Sequence, residues 1–310
     1  MAENNREIHS KEYEVVLLGH FAKDYDIING IEIEKEVIGS AVYYGAFPLK
    51  AIGVNVAIVT KLAKKDFPLL AVFKDVGIPV FAYEAPETTG IRNIYSLDDP
   101  DNRQSYFMRF AGPFREEEFP NLHTKVIHIA SLMQKEVPIT IIKKLSEIAL
   151  LSIDAQGFMR IKVEEGTRLV LEDWKEKEEI IPHLKYLKAD IAEATVLTET
   201  SDLHKAAKIL AKMGAKEILL THQEGVLLCV NDVFYQAPFS PKFLRGRSGR
   251  GDTCISTYIG KRLTLEPYPA LCFAAALTTL KLEHQGPFRG DIKEVEVLAK
   301  KFEQKEKILI

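Results

Sequence analysis

Cysteine is scarce in this chain, with three thiols, Cys229, Cys254 and Cys272, in 310 residues. An odd number without Cys-x-x-Cys spacing argues against a disulfide framework and a structural zinc site, and fits a reducing compartment. An excess of one charge is also lacking. Lys plus Arg number 41 against 44 for Asp plus Glu, a net charge of -3, and no basic stripe is present to neutralise a phosphate backbone. Nucleic acid is therefore not expected as a partner. Long apolar runs are missing as well. The longest largely apolar stretch, residues 271–280, is about half of the roughly 20 residues a bilayer needs, and residues 1–14 are polar and charged. The expectation is a cytoplasmic protein, neither secreted nor membrane-spanning.

What is present is ordinary for a folded globular protein: apolar types make up 46% and charged types 27%. Short β-branched and apolar runs at residues 13–18, 54–60, 78–83, 125–130, 150–154 and 217–221 read as buried strands, and helical periodicity separates most of them. In the helix expected over residues 202–213, Leu203, Ala206, Ala207, Leu210 and Ala211 form one stripe and Gly214 supplies the stop. Strand and helix in alternation mean a mostly parallel sheet covered on both faces. A helix over residues 40–52 carries Pro48, which predicts a kink or an early break. A hairpin is expected at residues 225–237 with Asn231 and Asp232 at its turn. Further helices are expected near Gly251 and over residues 269–283. The charge-alternating run 172–179 reads as a solvated helix surface. No repeat, low-complexity tract or linker divides the chain, so residues 1–310 are expected to form one domain.

Two segments break the rhythm. Residues 26–37 alternate apolar and acidic types, as in Ile31, Glu32, Ile33 and Glu34, and residues 90–110 hold two extended runs around Asp98, Asp99, Pro100 and Asp101. Such alternation suits antiparallel strands with one wet face, a small sheet inserted into the α/β body, with a pair of surface hairpins as the alternative.

The most informative stretch is Arg245-Gly246-Arg247-Ser248-Gly249-Arg250-Gly251-Asp252-Thr253-Cys254, directly ahead of a helical pattern. Backbone N–H groups and the positive end of a helix dipole attract an anion there, which makes phosphate the first candidate ligand. Asp252 at the opening of that helix can take a proton from a hydroxyl, as phosphoryl transfer to an alcohol requires. A tight turn with a capping aspartate remains the alternative on these residues alone. The spacing matches neither the P-loop nor the dinucleotide fingerprint.

Gly249-Arg250-Gly251-Asp252 resembles the C-terminal signature of the ribokinase-like, or PfkB, carbohydrate kinases. The resemblance covers nearly the whole chain. Gly19-His20-Phe21-Ala22-Lys23-Asp24 is similar to the family's first substrate loop, and Gly39-Ser40-Ala41 sits where the family has a Gly-Gly loop. Leu132-Met133-Gln134-Lys135-Glu136 resembles the loop whose glutamate lies near the substrate. Asp190-Ile191-Ala192-Glu193 matches an Asn-x-x-Glu motif, and Thr221 to Gly225 falls in the nucleotide-contacting turn. Departures are Ile38 for a glycine, Asp190 for the asparagine, a shortened turn, and Arg250 for a small residue in the anion hole. With Arg247, Arg250 and the segment from Asp154 to Arg160, the pattern most resembles a myo-inositol kinase subgroup.

The resemblance implies a three-layer α/β/α sandwich with a mostly parallel central sheet and a small β-sheet lid at about 26–37 and 90–110. It implies phosphoryl transfer from ATP, with Mg2+, to a hydroxyl of a cyclic polyol or sugar, with myo-inositol the leading acceptor. Asp252 is then the base, and Gly249, Arg250 and Gly251 form the anion hole. Asp24, Gly39, Ser40, Glu136 and Arg160 hold the acceptor. Asp190, Thr221, Glu224, Gly225 and His284 meet the nucleotide, and Glu193 lies near magnesium, directly or through water. Exposed lid edges suit a homodimer. A kinase for another sugar or a nucleoside, and a catalytically silent sugar or nucleotide sensor, stay open. A dinucleotide-dependent oxidoreductase is disfavoured because no fingerprint follows residues 13–18.

Overall fold

Along β1 (Glu12–Leu18) successive apolar residues enter two different cores, Val15 and Leu17 on one face and Val16 and Leu18 on the other. A strand buried on both faces needs no polar alternation, which is why these runs read as continuous apolar stretches. The computed structural model describes residues 12–28, 31–32, 37–95, 104–163, 167–304 and 308–309.

From β1 the chain enters a second sheet with β2 (Lys23–Ile28), β3 (Ile31–Glu32) and β4 (Val37–Ile38). It returns through α1 (Ala41–Ala51) to β5 (Val56–Ala63), then α2 (Ala71–Lys74) and β6 (Val80–Ala85). β7 (Gly90–Tyr95) and β8 (Gln104–Arg109) extend the second sheet, and β9 (His123–Ile129), α3 (Ile139–Ser146) and β10 (Leu150–Asp154) resume the first. α4 (Gln156–Met159) leads to β11 (Arg160–Lys162) and β12 (Arg168–Leu171), again in the second sheet. After α5 (Lys177–Ile180) come β13 (Leu184–Asp190), α6 (Ile191–Thr198), α7 (Leu203–Lys212), β14 (Glu217–His222), β15 (Gly225–Val230) and β16 (Val233–Pro238). α8 (Arg250–Arg262), α9 (Pro267–Leu282), α10 (Ile292–Glu303) and β17 (Ile308–Leu309) complete the described chain.

The large sheet runs β17-β16-β15-β14-β13-β10-β9-β1-β5-β6, parallel from β14 to β6 and antiparallel from β14 outward. Residues of α1, α8, α9 and α10 share the core on one of its faces, and residues of α3, α6 and α7 share the other. The smaller sheet runs β11-β12-β8-β7-β2-β3, with β4 also on β2, and only its β2–β7 pair is parallel. The expected α/β class with a mostly parallel sheet and a β lid is the architecture observed.

Several expectations need correction. The lid begins at Lys23 rather than near residue 26, and it takes a third contribution from β11 and β12, whose Arg160, Lys162 and Arg168 obscured a strand pattern. Strand β13 was not foreseen, because Lys185 and Lys188 interrupt its apolar run. Pro48 does not end α1 early. A proline withholds only its own N–H, and the Pro48 carbonyl still accepts from Ile52. Of the run 172–179 only residues 177–179 are helical, as three of the four residues of α5. The turn at Asp98 to Asp101, and Ile33 and Glu34 of the alternating segment, lie outside the described residues. The hairpin is as expected, with Asn231 and Asp232 at φ 49° and 62°, the left-handed pair a two-residue turn requires. Helix α7 is capped by Asp202, which accepts from the amides of His204 and Lys205, and it stops before Gly214 at φ 117°. Among the described residues no helix is long and apolar enough to cross a membrane.

Candidate active site

Parallel strands leave a crevice at their carboxyl ends, where the side chains of several loops converge. Here Asp154 ends β10, Asp190 ends β13 and Thr221 lies near the end of β14, and all three line a cavity of about 190 Å3. Asp24, Asp26 and Val37 from β2 and β4, and Ile91 and Asn93 from β7, form its lid side. The segment Arg247, Ser248, Gly249, Arg250, Gly251 and Asp252 forms the opposite side.

That opposite side is main chain held in place by close packing. Gly249 caps α8 at φ 77°, and a Cβ there would lie 2.0 Å from Cγ of Tyr44, so only glycine lets the loop settle on α1. The helix that follows carries its positive end toward the cavity, with Asp252 in its first turn. Lys188 of β13 reaches the same place from beneath, its ammonium 2.9 Å from where a Cβ of Gly251 would stand. Its Nζ donates to Asp154 Oδ1 at 3.1 Å and to Glu193 Oε2 at 3.4 Å. Burial alone would favour the neutral amine, but Asp154, Glu193, Asp190 and Asp252 outweigh it and hold Lys188 protonated. A permanent cation thus adjoins the amides.

The lid side is made of polar side chains. Asp24 is buried, its Oδ1 accepts from the Ile91 amide at 2.9 Å, and Gly39 approaches so closely that a Cβ would stand 1.9 Å from Asp24 Oδ2. Asp26 Oδ1 accepts from Asn93 Nδ2 at 3.1 Å, and Ser105 Oγ donates to Asn93 Oδ1 at 2.9 Å. Arg160 enters from β11, with Nη2 donating to Gln156 Oε1 at 2.7 Å; both residues line the cavity.

The cavity therefore gathers Asp24, Gly39, Arg160, Asp190, Thr221, Gly249, Arg250, Gly251 and Asp252 from the expected set. The other six stand off its wall. Ser40 is the N-cap of α1, its Oγ accepting from the Tyr43 amide at 3.1 Å, an arrangement worth about 1 kcal/mol. Glu136 is fully buried and accepts from the amides of His20 at 2.7 Å and Leu132 at 2.9 Å, tying two loops together. Burial pushes its carboxyl up to about 7. Glu193 and Asp190 form a reciprocal capping box at the start of α6. Glu224 is exposed and its carbonyl accepts from the Phe239 amide, Gly225 pairs with Pro238, and His284 is exposed at the end of α9. His222 and Gly225 are directly paired, so Gln223 and Glu224 alone make the turn between β14 and β15.

Residues that motif matching did not assign complete the site: Lys188, Asp26, Asn93, Tyr44 and Gln156. A lysine inside a strand that ends in aspartate was the available signal for Lys188, because buried lysines are rare unless paired. As for magnesium, the described residues contain no group of three or more His, Cys, Asp or Glu gathered to hold a metal. Magnesium needs no such cage, taking one or two carboxylates beside phosphate oxygens and water. Asp190 on the wall fits that need, whereas Glu193 Oε2 is occupied by the Asp190 amide and the Lys188 ammonium.

No family model matches the sequence, and no curated protein does. Solved structures match over most of the chain. A sulfate complex of a pyrophosphate-dependent kinase in the ribokinase family is 35% identical, with 91% of this chain and 99% of that one covered and a TM-score of 0.84. A pyrophosphate-dependent kinase in the ribokinase family, complexed with a pyrophosphate analogue and myo-inositol, is 33% identical over 91% and 99%, with a TM-score of 0.83. A ribokinase of Arabidopsis thaliana complexed with ribose and ATP shares the fold, at 16% identity over 94% and 99% and a TM-score of 0.70.

Proposed function

Because the chain belongs to the ribokinase family of kinases, we propose that it transfers a phosphoryl group from pyrophosphate to a hydroxyl of a cyclic polyol, with myo-inositol the first acceptor to test. The observation that carries this reading is the shared cavity, in which Asp252, the amides of an α8 N-terminus and the carboxyl of Asp24 face one small space.

The acceptor lies against the lid, where Asp24, Asp26 and Asn93 take and give hydroxyl hydrogen bonds that an apolar ligand cannot match. Asp252 withdraws the hydroxyl proton as the polyol oxygen attacks phosphorus. The bond from phosphorus to the bridging oxygen breaks, and orthophosphate leaves. Amides at Gly249 and Gly251, with Arg250 and Lys188, stabilise charge on the transferring group. Magnesium, when bound, neutralises donor charge, and Asp190 is the residue to hold it. Glu136 and Ser40 act behind the wall by fixing the loops, and Glu193 by orienting Asp190 and Lys188.

Three features support pyrophosphate over ATP, the donor implied by the family resemblance. The cavity of about 190 Å3 is smaller than the roughly 300–1,000 Å3 usual for drug-sized ligands. The turn between β14 and β15 has only two residues, Gln223 and Glu224, to offer a base. Arg247 and Arg250 both line the cavity and supply charge suited to a second phosphate.

The test follows phosphomonoester formation by phosphorus NMR with Mg2+, using pyrophosphate or ATP against inositols, sugars and nucleosides. Inositol phosphate is expected, formed faster with pyrophosphate. No phosphomonoester with either donor on any acceptor would sink the transfer reading, and a faster reaction with ATP would overturn the donor.

A further inference from the structure

Behind the anion-binding loop stands a second buried lysine that the reaction above does not use. Lys281, in the last turn of α9, is 1% exposed. Its Nζ donates to the carbonyl of Gly246 at 2.7 Å and to the carbonyl of Ser248, and it lies 5.0 Å from the centre of the Tyr44 ring. The amides of Arg245 and Gly246 both donate to the Leu282 carbonyl at 3.0 Å, so the loop is stitched to the end of α9.

Two carbonyl oxygens converging on one buried point repel each other unless a cation or donor sits between them. In a trans peptide the C=O and the next N–H point in opposite directions. Turning the Gly246 and Ser248 carbonyls toward Lys281 therefore turns the N–H groups of Arg247 and Gly249 the other way, and both residues line the cavity. From this we infer that Lys281 is the positioning residue of the anion hole: its ammonium fills a carbonyl cage behind the loop, presents the Arg247 and Gly249 amides to the transferring phosphoryl group, and leaves that cage no room for a free monovalent cation. Burial draws the Lys281 pKa down to about 7, with Asp252 opposing and Arg250 assisting, but the amine and the ammonium can both donate to the two carbonyls.

The inference rests on the proposed reaction, and its test separates the two. In the parent protein, turnover of pyrophosphate and inositol should agree within about twofold in sodium, potassium, ammonium or tetramethylammonium chloride, since these differ only in the cation they offer a cage. Activation beyond about tenfold by potassium overturns the inference. Lys281→Ala should lose about 10²-fold in kcat with the polyol KM little changed, the scale of one lost oxyanion donor. Ammonium should restore about tenfold of that loss, tetramethylammonium none, and Lys281→Arg should retain most of the activity. An unchanged kcat in Lys281→Ala, or a loss that neither ammonium nor arginine restores, counts against it. If Lys281→Ala fails to fold, the cation series on the parent protein decides. Should the parent be inactive with every donor and acceptor, the reaction reading fails. Calorimetric sulfate affinity, expected to fall about tenfold in Lys281→Ala, then still tests the loop, and an unchanged affinity overturns the inference.

Discussion

The two walls of the cavity are built by different means. The lid wall is made of side chains: Asp24 is fixed by the Ile91 amide, and Asp26, Asn93 and Ser105 form a hydrogen-bonded row across neighbouring strands. The α8 wall is built on main chain with lysines from distant elements beside it: Lys281 of α9 binds the loop carbonyls, and Lys188 of β13 stands against Gly251 while bonding Asp154 and Glu193. Side chains on strands discriminate between neutral hydroxyls. Amides and cations are suited to a charged group whose charge shifts during reaction. The lid wall should therefore set which alcohol binds, and the α8 wall should set how fast it reacts.

The largest effect should come from the base on the α8 wall. Asp252→Asn should lower kcat by about 10²–10⁴-fold while calorimetric polyol affinity stays near the parent value. A variant turning over at the parental rate would remove Asp252 from the chemistry. Next in size is a crossed pair. Arg250→Ala should lower kcat, and Asp24→Asn should raise the polyol KM, each by about 10- to 10²-fold, the worth of one charge-assisted hydrogen bond. If both changes moved the same constant, the division of labour would be broken.

The smallest effect concerns stability beneath the lid. Burial raises the Glu136 carboxyl from 4.5 to about 7, against the pull of the Leu132, His20 and Met133 amides. Between those values the folded state binds more protons than the unfolded chain, so this contribution is present at low pH and fades as pH rises to 7. His20 acts in the opposite sense. Burial and the Lys61 charge hold its pKa down at about 3, so its contribution is lost as pH falls from 6.5 toward that value. Glu136→Gln removes only the first effect, and its melting temperature relative to the parent should climb between about pH 5 and about pH 7. A constant difference would mean that Glu136 is ionised throughout.

The same contrast explains what could be read in advance. Apolar strands such as β1 and β10, the Asn231-Asp232 hairpin and the capped α7 declare themselves locally, because turn chemistry and periodicity act over a few residues. The Gly249-Arg250-Gly251-Asp252 segment was legible for the same reason. Lys188 and Lys281 were not. The first interrupts the apolar run of a strand, and the second carries no local signal of its partners. Their partners, Asp154 and the carbonyls of Gly246 and Ser248, lie 34, 35 and 33 positions away. The lid's third segment, β11 and β12, was hidden because its pairing with β8 spans more than fifty residues.

One helix touches both walls. α1 is capped by Ser40, next to the Gly39 that presses on Asp24, and one turn later it offers Tyr44 as the seat for Gly249. At about 1.5 Å per residue the chain rises roughly 6 Å from the Ser40 cap to Tyr44. In the proposed reaction the first turn of α1 is thus a ruler cut into the backbone, which would gauge the gap between alcohol and phosphorus by the pitch of a helix. An insertion or deletion there would misset the gap even if every polar group were intact.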